Sequence, residues 1–102
     1  MLFMCIGTYD ADKRDEIVKR RLQKGRMTPK GMKVLGEWST FGGGRLFVLT
    51  EGSDPQAAFQ STWAWSDLMK FEITPVIETE PLMKSMQPRK RKQRRSEYHL
   101  PS

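Results

Sequence analysis

The sequence predicts an α+β protein of the ferredoxin-like class, built on one four-stranded antiparallel sheet. Three observations lead to this prediction. Apolar runs of strand length and two amphipathic stretches of helix length occur in the order β-α-β-β-α-β. A GGG turn separates the two middle strands, as in a β-hairpin. The 102 residues are enough for one domain and too few for two.

The first strand and the first helix are predicted from a change in periodicity. Residues 2–6 are continuously apolar and are closed by Gly7, which predicts a strand buried on both faces. The next stretch carries charges around a narrow apolar stripe and stops at Gly25, which predicts an amphipathic helix. The stripe consists of Ile17, Val18 and Leu22.

The middle of the chain predicts a hairpin with its strands on either side of the glycines, residues 32–41 and 45–51. Strict alternation places Val34, Gly36 and Trp38 on one face of the first hairpin strand. It places Glu37 on the other face.

A second helix is predicted after the hairpin, because Asp54 suits its cap and Pro55 its first turn. Extended through the WAWSD stretch, this helix has Trp63 and Trp65 flanking its buried stripe. The stripe itself comprises Ala58, Phe59, Thr62 and Ser66. Residues 70–78 form the last strand, and its Pro75 favours an edge position or a bulge.

One face of this sheet is predicted to need a partner. Two helices cover a single face, yet the first and third strands are apolar on both. We therefore expect a homodimer that packs sheet face against sheet face, closing a barrel-like assembly and burying on the order of 1,200 Å² or more. The alternative is that the C-terminal segment folds back over this face.

Three stretches of the sequence resemble a known family. LGEW (35–38), RLFVLTEGSDP (45–55) and WAWSDLMKFEITPV (63–76) are similar to the signature of domain-of-unknown-function family 3303. The resemblance covers about residues 1–80 and implies membership of the dimeric α+β barrel superfamily. It implies no activity. Residues 1–80 are thus predicted to be the domain and residues 81–102 a basic, disordered tail.

The residue inventory restricts the chemistry. His99 is the only histidine and lies in the tail, so the domain has no histidine for haem ligation or general-base catalysis. Cys5 is the only cysteine, and it is predicted to be a small buried hydrophobe. We expect no metal and no cofactor, because neither His/Cys clusters nor grouped acids occur.

The N-terminus predicts a cytoplasmic protein. Its apolar run is too short to span a membrane, and no basic region precedes it as in a signal peptide.

A ligand pocket is the most specific hypothesis for a functional site in the domain. Aromatic walls with one or two carboxylates would suit a small cationic or planar molecule. The alternative is that the indoles are core residues, that the glutamate pairs with a base, and that the aspartate caps a turn. The candidate residues are Glu37, Trp38, Trp63, Trp65 and Asp67.

The tail carries nearly all of the excess charge. Residues 1–88 have twelve basic and eleven acidic side chains, whereas residues 89–102 have six basic and one acidic. Such a run could bind a nucleic acid or another polyanion, or could be a solvated tail with no specific role. The six cations are Arg89, Lys90, Arg91, Lys92, Arg94 and Arg95.

Three functions remain open on this basis, and the sequence leans away from an enzyme. The first is a non-enzymatic dimeric module that binds a small ligand or a protein partner. The second is a nucleic-acid-associated accessory protein that acts through paired basic tails. The third, a cofactor-independent monooxygenase-like enzyme, rests on analogy with the superfamily alone.

Overall fold

The computed structural model describes residues 1–88 and has the predicted α+β, ferredoxin-like architecture. Its four strands form one antiparallel sheet in the order β2-β3-β1-β4, with β1 in the interior and β2 and β4 at the edges. The elements are β1 (Leu2–Thr8), α1 (Arg14–Lys24), β2 (Lys33–Ser39), β3 (Arg45–Glu51), α2 (Pro55–Trp63), β4 (Lys70–Val76) and α3 (Thr79–Ser85).

The positions of the central and edge strands follow the sequence pattern, but β1, which was predicted to be buried on both faces, is buried on one face only. Phe3 and Cys5 of β1 are buried beneath the helices, 7% and 4% exposed. Pro75 lies in β4, as predicted for an edge strand, because a residue without an N–H is tolerated where no further strand must pair. The predicted hairpin turn is also confirmed. Gly43 and Gly44 have φ values of 74° and 85°, a conformation that suits glycine.

A β-bulge changes the faces that simple alternation assigned to β2. Val34 pairs with Thr50, but the next pair in the ladder is Gly36 with Leu49, so Leu35 is an extra residue. The prediction that Val34 shares a face with Trp38 was therefore wrong. The bulge puts Val34 on the helix-covered side together with Glu37, while Trp38 lies on the opposite side.

Helix α2 is shorter than predicted, and its buried stripe is made of small residues. It starts at Pro55 after Asp54, whose carboxylate accepts a 2.9 Å hydrogen bond from the Gln56 N–H, and it ends at Trp63. Its buried residues are Ala57, Ala58 and Thr62.

The expectation that Phe59 lies in that stripe was wrong, because two alanines bring the helix axis close to the sheet and turn the larger side chains outward. Phe59 is 59% exposed and Trp63 is 66% exposed. Beyond Trp63 the chain continues in tight turns that rotate Trp65 inward, to 8% exposed.

The two helices pack differently on the sheet. Helix α2 supplies Ala57 and Ala58 to a core that also contains Phe3 and Met32. Helix α1 has no buried residue, and of its predicted apolar stripe Val18 is 49% exposed and Leu22 81% exposed. A space therefore remains between α1 and the sheet.

The second face of the sheet carries no helix among the described residues. The cross-strand row Trp38–Phe47–Ile6 and the row Gly36–Leu49–Met4 lie on it, with Leu2 beside Val76 at one end. We call these eight residues the open sheet face. On this face the Trp38 indole lies across Gly36, because a Cβ added to that glycine would come within 2.5 Å of the indole.

Helix α3 crosses the predicted boundary between domain and tail, because it starts at Thr79 and continues to Ser85, within the stretch 81–102 that the sequence assigned to the tail. It is short, with Glu80 in its first turn and Lys84 in its last, a charge order that suits the helix dipole. Its flanking apolar residues Ile77 and Met86 are 65% and 68% exposed.

Candidate ligand-binding cavity

A cavity of approximately 270 Å³ occupies the space between α1 and the helix-covered side of the sheet. It opens to solvent beside α1, where the partly exposed Val18 and Leu22 form its lip. Its volume is close to the lower end of the range typical of small-molecule sites, about 300–1,000 Å³. The apolar walls and floor include Val34, Leu46, Val48, Trp65, Met69 and Phe71.

A cluster of three charged side chains lies at the edge of this apolar space. Arg21 of α1 donates to both carboxylate oxygens of Glu37, at 2.8 and 2.9 Å. The Nε of Arg26 donates to Glu37 Oε1 at 2.9 Å. The Glu37 side chain is 15% exposed, whereas Arg21 and Arg26 are 40% and 46% exposed.

The electrostatics of the cluster keep Glu37 ionised at neutral pH. The hydrogen bonds from Arg21 hold the pKa of Glu37 below its ordinary value, and Arg26 adds to this effect against the opposing influence of burial. The same pairing raises the pKa of Arg21. Glu37 and Arg21 therefore both remain charged near pH 7.

Trp65 forms a wall of the cavity and is held by two neighbouring groups. Its indole Nε1 donates to the Arg26 carbonyl at 3.1 Å, which fixes the loop that presents Arg26. The Arg20 guanidinium lies 5.6 Å from the indole ring centre, within the range of a cation–π contact. Arg20 also donates to the Ala64 carbonyl at 2.8 Å and to both oxygens of Asp67 at 2.8 and 2.7 Å. These contacts fasten α1 to the end of α2 and so fix the width of the cavity.

Cys5 lies on the floor of the cavity. Burial raises the pKa of its thiol, and a hydrogen bond with Thr50 opposes this only in part. The Thr50 hydroxyl is directed at the Phe3 carbonyl, 3.5 Å away. The thiol is thus a neutral, weakly polar part of the floor at neutral pH, in keeping with the interpretation of Cys5 as a small buried hydrophobe.

The structure brings together two of the five residues proposed for a pocket. Glu37 and Trp65 line the same cavity. Asp67 is 61% exposed and approaches the site only through its ion pair with Arg20. Trp38 lies on the open sheet face, 54% exposed. Trp63 lies on the outer surface of α2, stacked on Phe59 with ring centroids 5.7 Å apart.

Sequence analysis missed the two arginines that pair with Glu37. A signal for Arg21 existed, since it follows Ile17 by four residues and so lies on the same face of α1. Arg26 follows the helix stop at Gly25 and carried no comparable signal.

Three further features considered from the sequence are a metal site, a membrane span and the basic tail. Within residues 1–88 no group of His, Cys, Asp or Glu side chains is arranged to hold a metal ion. No helix in that part of the chain is long and apolar enough to cross a membrane. The six tail cations lie outside the described residues, so their role stays a prediction; they are Arg89, Lys90, Arg91, Lys92, Arg94 and Arg95.

Comparison with protein families identifies the chain. The model of the family described as Domain of unknown function (DUF3303) matches residues 1–90. The chain belongs to this family. The family expected from the sequence is thereby confirmed, and the match extends ten residues beyond the expected limit, through α3.

Comparison with other proteins adds a likeness of fold. No curated protein matches the chain. Among solved structures, it is similar to a Deinococcus radiodurans protein assigned to the antibiotic biosynthesis monooxygenases, at 12% identity and a TM-score of 0.44. The match covers 76% of this chain and 94% of the other. At this level the likeness carries no argument about fold or activity.

Proposed function

We propose that this DUF3303 chain is a homodimeric binding module that holds a small apolar ligand between α1 and its sheet. The observation that carries the proposal is the approximately 270 Å³ cavity, which has an apolar lining and opens beside α1. A structural core would close such a space, because protein interiors pack at the density of organic crystals. Here specific polar contacts hold α1 in place over the open space.

The contacts that keep α1 in place support a preformed site. Arg20 ties the helix to Ala64 and Asp67, while Arg21 ties it to Glu37 on β2. A site fixed in this way loses little conformational entropy when a ligand enters, which favours binding. The apolar lip formed by Val18 and Leu22 would be covered in part by the bound molecule.

The open sheet face supports the dimeric part of the proposal. Its apolar side chains lie on four neighbouring strands. On the same side of the sheet, Glu72 lies opposite Ile6 and Glu51 opposite Leu2, while Arg45 and Lys70 flank Thr8 at the far end. A second copy offers an identical sheet face, and two such faces pack at about 10 Å. This leaves each cavity, on the opposite face, accessible to its ligand.

Cavity filling tests the ligand-binding function. An uncharged probe that matches the size of the cavity, 1-octanol, should bind the full-length protein and give a heat signal in calorimetric titration. Val48→Trp places an indole inside the cavity and should abolish this signal, and Leu46→Trp provides a second filling variant from the same strand. Gln23→Trp, on the exposed side of α1, is the matched control and should bind as the parent does. Undiminished probe binding by both folded filling variants would refute the proposal.

Sedimentation tests the dimer. The full-length protein should sediment as a dimer, and Phe47→Glu should convert it to a monomer because it buries a charge in the sheet-to-sheet interface. Phe59→Glu makes the same change on the outer surface of α2 and should remain dimeric. A monomeric parent protein, or a dimer that Phe47→Glu leaves intact, would exclude the open sheet face as the interface.

A further inference from the structure

The charges around the cavity do not balance. Among the described residues that line it, the charged side chains are Arg21, Arg26 and Glu37, which leaves a net charge of +1. The Glu37 carboxylate has little capacity for a cationic ligand, since guanidinium groups already occupy both of its oxygens. A ligand with one negative charge would therefore neutralise the site.

Arg26 is the charged group that still has hydrogen-bond donors available for a ligand. Only its Nε contacts Glu37, at 2.9 Å, and among the described residues no acceptor contacts its two terminal nitrogens. Arg21, in contrast, uses both terminal nitrogens on Glu37. The Arg26 side chain is 46% exposed, so an anion could reach it without full loss of hydration. The two terminal NH2 groups of the planar guanidinium form one free edge, which matches a carboxylate.

The apolar part of the cavity begins beside these charges. Val48 pairs with Glu37 across the β2–β3 ladder, and Leu46 is the next residue along β3 on the same face. Trp65 joins the two regions, because it lines the cavity and its Nε1 is bonded to the Arg26 carbonyl. A molecule with its charged end at Arg26 would thus extend its apolar end over Val48 and Leu46.

We propose that the ligand is an amphipathic monoanion whose carboxylate pairs with Arg26 and whose apolar body fills the cavity. At roughly 30 Å³ for each water-sized group, the volume admits about nine such groups. An eight-carbon carboxylate is of this size. The inference rests on the proposed ligand-binding function and replaces the cationic alternative in the sequence-based hypothesis of a small cationic or planar molecule.

The test compares three probes that share one chain length: octanoate, 1-octanol and octylammonium. Each is titrated calorimetrically into the full-length protein at pH 7 and low salt, below its critical micelle concentration. Octanoate should bind about tenfold more tightly than octanol, the size expected of a charged hydrogen bond at a half-exposed site. Octylammonium should bind more weakly than octanol. Added salt should reduce the preference for octanoate.

Variants of Arg26 test whether this residue causes the preference for octanoate over octanol. Arg26→Gln should lose the tenfold preference for octanoate over octanol, while Arg26→Lys should retain much of it. Arg14→Gln is the matched control, because it removes the same charge from α1 at a side chain that is 64% exposed and outside the cavity lining. It should leave the preference intact.

The outcomes separate this inference from the function on which it rests. If none of the three probes binds, the proposed ligand-binding function fails. If octanol binds as well as octanoate, or if octylammonium binds best, the cavity remains a ligand site and the monoanion is excluded. A preference for octanoate that Arg26→Gln leaves unchanged would also overturn the assignment to Arg26.

Discussion

Replacing Glu37 by glutamine should destabilise the protein by about 2 kcal/mol at pH 7. The change removes one negative charge from beneath two guanidiniums and weakens three hydrogen bonds of 2.8–2.9 Å. Buried hydrogen bonds to charged groups contribute about 1.5–3 kcal/mol each. Exposed ion pairs contribute about 0.2–1 kcal/mol. Glu37 is 15% exposed and its partners 40–46% exposed, so the loss lies between these limits.

Urea unfolding measures this loss, with a midpoint shift of about 1 M at a typical slope for a small domain. Asp67→Asn is the matched control, because Asp67 also receives two bonds from one arginine but is 61% exposed. Its effect should be clearly smaller. Equal losses for the two variants would show that burial of the Glu37 cluster contributes nothing.

The pH dependence of the free energy of unfolding tests the role of Glu37 independently. The pKa of Glu37 is lower in the folded protein than its ordinary value of 4.5, so its contribution to stability is complete above that pH. The contribution is lost as the pH falls through the folded-state pKa. The difference between the parent and Glu37→Gln should therefore be full at pH 7 and shrink progressively below about pH 4.5. A difference that is constant from neutral pH to about pH 3 would refute the assignment to ionised Glu37.

Three further predictions concern other parts of the molecule. Gly7→Ala should lower the free energy of unfolding by about 1–3 kcal/mol in thermal or urea unfolding, since the new Cβ would lie 2.7 Å from Met69 and 3.0 Å from the Phe71 ring. Gly42→Ala, with open space around it, should be neutral, and equal effects of the two changes would contradict the packing around Gly7. The Cys5 thiol should react with Ellman's reagent at least about tenfold more slowly in the native protein than in urea, because it is buried and its pKa is raised; equal rates would contradict its burial. Removal of residues 89–102 should leave 1-octanol binding unchanged in calorimetry, because the cavity is lined from residues 1–88; lost binding would place the site elsewhere.

The fold was predictable because its signals are local. A run of apolar residues closed by Gly7, a triple-glycine turn and an Asp54–Pro55 helix start each act over a few residues. The errors arose where local rules were overridden. The bulge at Leu35 reverses the alternation without changing composition.

The site was only half predictable for a related reason. Glu37 and Trp65 were found because a carboxylate and an indole are unusual enough to attract a hypothesis. The pairing with Arg21 spans sixteen residues and depends on how α1 crosses the sheet, which no local pattern encodes. Because guanidinium groups already contact both carboxylate oxygens of Glu37, the structure favours an anionic ligand over a cationic one.

Methyl-resolved NMR of the full-length protein tests the central claim most directly, because the two faces of the sheet carry alternating methyl groups on the same strands. The helix-covered side presents Val34, Leu46 and Val48 to the cavity, and the open sheet face presents Leu2, Leu49 and Val76.

Titration with 1-octanol should shift the cavity methyls and give ligand contacts to Val48, while those of Leu49, one residue further along β3, stay unchanged. Contacts confined to Leu49 and the rest of the open sheet face, or no contacts at all, would contradict the assignment of the cavity as the ligand site.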